Sequence, residues 1–272
     1  METERPLVQE AVRPHGERAA EDQRIRQKLN EIWILFRIQF AEIRESWIWI
    51  FFMASMFPFS TLLFLKFYTV NPTPEAMIRI IVGNMVFAVI VMGINALAQE
   101  ISWQKHQGHF VYYASLPISK LNFVLAVFLR GFLTSFPSVV IIAAIGQLIY
   151  GIHFHYSFGL IPVFLLSMLA CVGIGTMIGF VSPNHQFTNL LAQTLLMVIS
   201  FLSPVMVTMD MLPKMLQWLS YLFPTTYVAN AFRDFFIHGW THAVTVNTAV
   251  LSGYVILSFL VIYRFVEWRV ER

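Results

Sequence analysis

From Ile48 onward the chain repeatedly runs for about twenty residues with almost no charged side chain, and each run ends at a charge or at a cluster of Pro, Gly and Asn. A bilayer's hydrocarbon core takes a helix of that length, so such runs read as membrane spans. Six blocks qualify, at about 48–65, 78–98, 131–149, 159–181, 190–209 and 243–265. Composition agrees: 57% of the 272 residues are hydrophobic and 12% are charged, about half the charged share of a soluble domain. The expected fold is an all-α integral membrane protein with one transmembrane domain over 48–272.

The blocks carry their own punctuation. Pro58 is expected to kink the first span, and Lys66 marks its exit. Gly83, Asn84, Gly93 and Asn95 in the second block read as packing and interhelical hydrogen-bonding positions, with a pathway lining as the alternative. The third block is overlong because 121–130 precedes it, and Arg130 is expected to snorkel to the headgroups, a charged pathway being the other reading. In the fourth block Gly175 and Gly179 form a G-x-x-x-G step, whose default meaning is close helix packing. Cys171 lies in the same block and reads as a small buried residue.

Ahead of the spans, residues 1–23 are polar and have no periodic apolar face, which predicts a disordered tail. From 24 to 47 the pattern changes. Ile25, Leu29, Ile32, Trp33, Phe36, Phe40, Ile43 and Trp47 recur at steps of three and four, with Arg37 and other charges opposite. That is an amphipathic helix for the membrane interface or, alternatively, for the face of a partner subunit.

Two polar inserts interrupt the spans. Residues 99–120, QEISWQKHQGHFVYYASLPISK, predict a short amphipathic helix ending at Pro117, the kind of handle a membrane protein needs when force comes from another subunit. Residues 210–242 hold two apolar helical pieces broken at Pro224, each too short to span. They predict an outer re-entrant hairpin packed on protein, or a pair of surface helices anchored by Trp218, Tyr221, Tyr227 and Trp240. Basic residues set the orientation: eight before residue 48, two in 99–120 and three at the end oppose Lys66, Arg79, Lys214 and Arg233, so both termini and the first insert are expected in the cytoplasm.

Chemistry enters mostly by absence. There is no G-x-x-x-x-G-K-[ST] P-loop, no H-E-x-x-H and no G-x-S-x-G elbow. His153 and His155 form a lone H-x-H, which reads as solvated rather than as a metal site. A net charge of +3 without a basic cluster argues against nucleic acid. The six blocks contain no acidic residue, which weakens ion-coupled transport. A downhill pore or an external motor remains, and the 99–120 insert favours the motor.

The pattern resembles the permease subunit of type 2 ABC exporters, on Gly108-His109-Phe110 leading to Leu116-Pro117-Ile118-Ser119, and on Leu212-Pro213 leading to Phe223-Pro224-Thr225-Thr226-Tyr227 and Ala231-Phe232-Arg233. Trp103 to Gln107 has no acidic residue, and Val111 stands where the family often has Glu. The resemblance implies a multi-pass protein of the bacterial inner membrane, paired with a second permease copy as a homodimer and with two ATP-binding cassette subunits. Those partners would carry ATP and Mg²⁺, this chain binding no cofactor. It implies ATPase coupling through Glu100, Gly108, His109, Phe110, Tyr112, Tyr113 and Pro117. Trp33, Phe36, Arg37 and Phe40 would form the interface helix, and Pro213, Trp218, Pro224, Tyr227 and Arg233 the outer gate. The implied cargo is an amphiphile, drug or lipid-like, with lipid-linked glycan or teichoic acid precursors as the alternative. The rival from another class is a membrane scaffold that binds a partner through 99–120 without transport.

Overall fold

The computed structural model describes residues 74–115, 120–151, 157–202 and 213–265, with scattered positions between 30 and 63. Those residues are almost wholly helical and contain no strand. In chain order the helices are α1 (Pro74–Ile90), a π-helical segment (Val91–Ala96), α2 (Leu97–His106), α3 (His109–Ser115), α4 (Lys120–Tyr150), α5 (Leu160–Val181), α6 (His185–Leu202), α7 (Lys214–Ser220), α8 (Pro224–His238) and α9 (His242–Phe265). Among the described residues four helices are long and apolar enough to cross a membrane: Met77–His106, Leu121–Leu148, Leu160–Val181 and His242–Arg264. The expected first span, and residues 203–209 of the fifth, lie largely outside the described residues.

The centre of the bundle is α5 against the continuous helix formed by α1, the π segment and α2. Helix α5 also packs on α4, α6, α8 and α9. Its glycines make this close approach. A Cβ on Gly175 would strike the carbonyl oxygens of Gly93 and Ile94, the latter at 2.7 Å, and one on Gly179 would meet Ile101 at 2.7 Å and the Ala98 carbonyl at 2.9 Å. From the other side, a Cβ on Gly93 would lie 2.9 Å from that of Cys171, which is buried. The G-x-x-x-G step is thus a backbone-to-backbone seat, as small residues in membrane helices usually are.

Several elements differ from the sequence expectation. The second span does not stop at residue 98. Nothing breaks the helix before Gly108, so it continues to His106 and takes the first third of the 99–120 insert with it. The remainder is a separate short helix, α3. In the middle of the span the ladder widens to a π turn at Val91–Ala96, which leaves α-helical pairing locally. The amides bond along their own helix rather than between helices: Asn84 Nδ2 donates to the Ile80 carbonyl at 2.9 Å, and Asn95 Oδ1 accepts from Gln99 Nε2 at 2.6 Å.

Helix α4 is unbroken from Lys120 to Tyr150 despite Pro137, with residues 121–130 as its first turns. Arg130 is buried within the bundle and pairs with Glu100 on α2. The described positions between 30 and 63 are all helical. Among the described residues of that stretch Leu35 is buried in the core, while Trp33 and Phe40 are exposed and stack on Phe36 between them.

Two apolar clusters fill the bundle. The larger joins α1, α5, α8 and α9 through Ile81, Met85, Met168, Phe232, Phe235 and Leu251. The smaller lies where α2, α4 and α5 meet and is built on Leu97, Ile101, Phe123, Phe128 and Val172, with Leu35 from the N-terminal helix.

Gly175→Ala is expected to lower the thermal unfolding midpoint in detergent, by roughly 1–3 kcal/mol of stability, because the carbonyls it meets are main chain and cannot rotate away. Gly253→Ala, with nothing within 4 Å, serves as the control and should hold or raise the midpoint. Equal midpoints for both variants would show that the seat is not tight.

Candidate functional site

At one end of the bundle the chain turns from α2 into α3. Gly108 makes that turn at φ +77, a left-handed conformation that favours glycine, and no neighbour lies within 4 Å of where a Cβ would be. Backbone conformation, not space, requires glycine there. Beyond it, Phe110 turns inward. Its ring meets Phe123 of α4 at 5.7 Å and Phe180 of α5 at 5.3 Å, both edge-on, and Phe123 meets Phe180 at 6.3 Å. Edge-to-face pairs at such distances add about 0.5–1.5 kcal/mol each beyond burial, enough to pin a helix of seven residues.

Polar contacts fix the rest of this end. Lys105 Nζ donates to the carbonyls of Phe180 at 2.9 Å and Ser182 at 3.2 Å, so a lysine closes the orphan C-terminus of α5. Thr188 Oγ1 of α6 donates to Ser102 Oγ at 2.7 Å, and Trp103 lies edge-on to His185 at 5.6 Å. What faces outward is then Trp103, Lys105, His106, His109, Val111 and Tyr112, the last 59% exposed. No acidic residue is among them.

The residues named from the sequence are therefore not equivalent. His109 and Tyr112 are surface, Phe110 is an anchor, and Gly108 is the hinge. Tyr113 lies on α3, and its side chain and Pro117 fall outside the described residues. Glu100 sits apart from the exposed turn and faces the bundle. Its Oε1 takes Arg130 Nη2 at 3.1 Å and Gln104 Nε2 at 3.0 Å, with side-chain exposures of 8% for Arg130 and 38% for Glu100. These two residues line a cavity of about 290 Å³ with Trp49, Met92, Leu97 and Thr134. The pairing had a signal in the sequence: Glu100 and Arg130 are the nearest charges flanking otherwise apolar stretches on consecutive long helices.

The residues assigned to the outer gate lie around α7 and α8. Pro213 precedes α7, and Trp218 projects from it, 82% exposed. Pro224 opens α8 as its first residue, where a missing N–H costs nothing. Helix α8 is sunk into the bundle on α1, α5 and α9. Thr226 Oγ1 reaches back to the Ser220 carbonyl at 2.6 Å, and Tyr254 of α9 donates to the Leu222 carbonyl at 2.8 Å. Tyr227 lies between Tyr221 and Tyr254, 6.2 Å from each. Arg233 is half-buried on α8; burial pulls its guanidinium below the ordinary range, the Arg79 charge adds to this, and Asp234 opposes it. A larger apolar cavity, about 840 Å³, opens between α4, α5 and α8 beside Phe136, Ala143, Phe164 and Phe236. His153 and His155 fall outside the described residues, and no cluster of three metal-ligating side chains occurs among the described ones.

Span-length helices around a shared core, with a polar turn displayed at one end, define a multi-pass helical membrane protein. Residues 30–237 match the model of the ABC-2 type transporter family, and the chain belongs to that family. It is accordingly a transport subunit, the transmembrane component of an ABC transporter, and the family implies an ATP-binding cassette partner. A comparison with curated proteins gave no match.

The ion pair makes an asymmetric prediction. Glu100→Gln leaves the more deeply buried Arg130 without its counter-charge, whereas Arg130→Met leaves a carboxylate that reaches water. Leaving a buried charge without its partner costs about 3–5 kcal/mol, so Glu100→Gln is expected to lower the unfolding midpoint more than Arg130→Met does. The reverse order would mean that Arg130 finds other compensation.

Proposed function

We propose that this chain is half of the membrane channel of an ATP-driven exporter that moves an amphiphile, drug or lipid-like, outward from the cytoplasm or inner leaflet. Six spans, cytoplasmic termini, a homodimer and two ATPase subunits complete this reading. The observation that carries it is the α2–α3 turn. Phe110 and Lys105 tie it rigidly to α4 and α5, while His109, Val111 and Tyr112 are displayed to the outside. A segment that is stiff behind and sticky in front can transmit a push. The ATPase groove facing it would be acidic and apolar, to complement Lys105, His106, His109 and Tyr112.

In the same reading the N-terminal helix follows the turn, because Leu35 and Phe110 pack on the same apolar cluster. At the far end α7 and α8 gate the exit, with Pro213 and Pro224 setting the breaks and Trp218, Tyr227 and Arg233 lining the edge. The absence of any acidic residue in the six apolar blocks supports a motor over ion coupling.

The test is co-purification of the ATPase from the native membrane in mild detergent. His109→Asp/Tyr112→Asp changes only displayed side chains, so its unfolding midpoint is expected to match wild type while ATPase recovery falls by about tenfold, as loss of a central interface anchor costs more than 1 kcal/mol. Wild-type protein that emerges without any ATPase in several detergents would overturn the reading and favour a membrane scaffold.

A further inference from the structure

We propose that the cavity between Trp49, Glu100 and Arg130 is a binding site for the ammonium group of a cationic amphiphile. The assignment rests on the export reading only for the ligand's later fate; binding itself requires nothing but the site. Four observations converge. The cavity, about 290 Å³, is the size of a headgroup, at the lower bound of small-molecule pockets, which start near about 300 Å³. Both Glu100 and Arg130 line it, and the carboxylate is the more open of the two, 38% exposed against 8%.

Arg130 Nη2 and Gln104 Nε2 both donate to Oε1, so a ligand would approach the carboxylate at its other oxygen. A cation at Oε2 lies nearer to Glu100 than to Arg130 behind it, and Coulomb energy falls with distance, so attraction exceeds repulsion. The remaining walls suit the rest of such a ligand. Trp49 supplies an indole face, the best partner for an ammonium group among the aromatic side chains, and Met92, Ala96 and Leu97 supply apolar surface for the first methylenes of a tail.

Position agrees with this chemistry. Glu100 lies six residues before His106, about 9 Å along the helix from the exposed turn. The 30-residue helix Met77–His106 is about 45 Å long, against about 30 Å of hydrocarbon, which puts Glu100 near the boundary where an amphiphile's headgroup lies. Arg130, instead of competing for the ligand, keeps the carboxylate aimed from 3.1 Å in a region where an isolated charge would be costly.

The test is titration of rhodamine 6G, a permanently cationic amphiphilic dye, into the purified full chain in neutral detergent, read by fluorescence anisotropy. Wild type is expected to bind it, and Trp49→Ala and Glu100→Gln to weaken binding by about tenfold or more. The exchange Glu100→Arg/Arg130→Glu keeps an ion pair but presents the opposite charge. It is expected to lose the dye and to bind the anionic fluorescent fatty acid dansyl-undecanoate, which wild type should not. Should Glu100→Gln fail to fold, Trp49→Ala and the exchange variant decide the question. Dye affinity within twofold of wild type in the folded variants, or no dye binding by wild type, would overturn the assignment. ATPase co-purification is scored separately, so a failed exporter reading and a failed site give different results.

Discussion

The structure depends on how closely α5 can approach the long helix through α1 and α2. Gly175 lies over the Gly93 and Ile94 carbonyls, and Gly179 over the Ala98 carbonyl and the Ile101 side chain. Lipid is as apolar as a leucine side chain, so burying such residues against one another gains little in a membrane; close contact between backbones is what holds spans together. Every other long helix leans on this pair. Helices α4, α8 and α9 each pack on α5, so a residue with a larger side chain at the seat would move elements that never touch it.

The end of the bundle that carries the α2–α3 turn is built differently. There the packing is aromatic and the hydrogen bonds run from side chains to the last carbonyls of α5. Phe110, Phe123 and Phe180 form a triangle, and Leu35 of the N-terminal helix enters the same cluster. Three segments distant in sequence therefore share one small core. A displacement of α3 cannot be absorbed locally, because close-packed interiors transmit strain.

Much of this architecture was legible because the bilayer imposes one length and one polarity. Apolar blocks, their boundaries at charges and the Gly175–Gly179 step all declare themselves in that way. The features that escaped are those in which residues answer to each other. Arg130 is read for the headgroups, with a charged pathway as the alternative, and its pairing with Glu100 thirty positions earlier is not foreseen. The apolar row of the N-terminal helix is read for the membrane interface or a partner's face, and Leu35, which is outside that row, enters the core. The π turn has no composition of its own: it is a compromise between the α5 seat and the two halves of a single span, visible only once both are placed. The family match covers most of the chain and fixes its class, but it does not distinguish surface from anchor within 108–113.

That π turn has a geometric consequence. A single-turn widening accommodates about one extra residue, and one residue is about 100° of rotation about a helix axis. Everything after Ala96 is therefore clocked by about a quarter-turn relative to α1. Were the helix regular throughout, Glu100 would point elsewhere than at Arg130, and the exposed turn at Gly108 would leave the bundle in another direction. The π segment acts as a phase shifter, letting one continuous span pack on α4 and α8 in its first half and on α5 and α6 in its second.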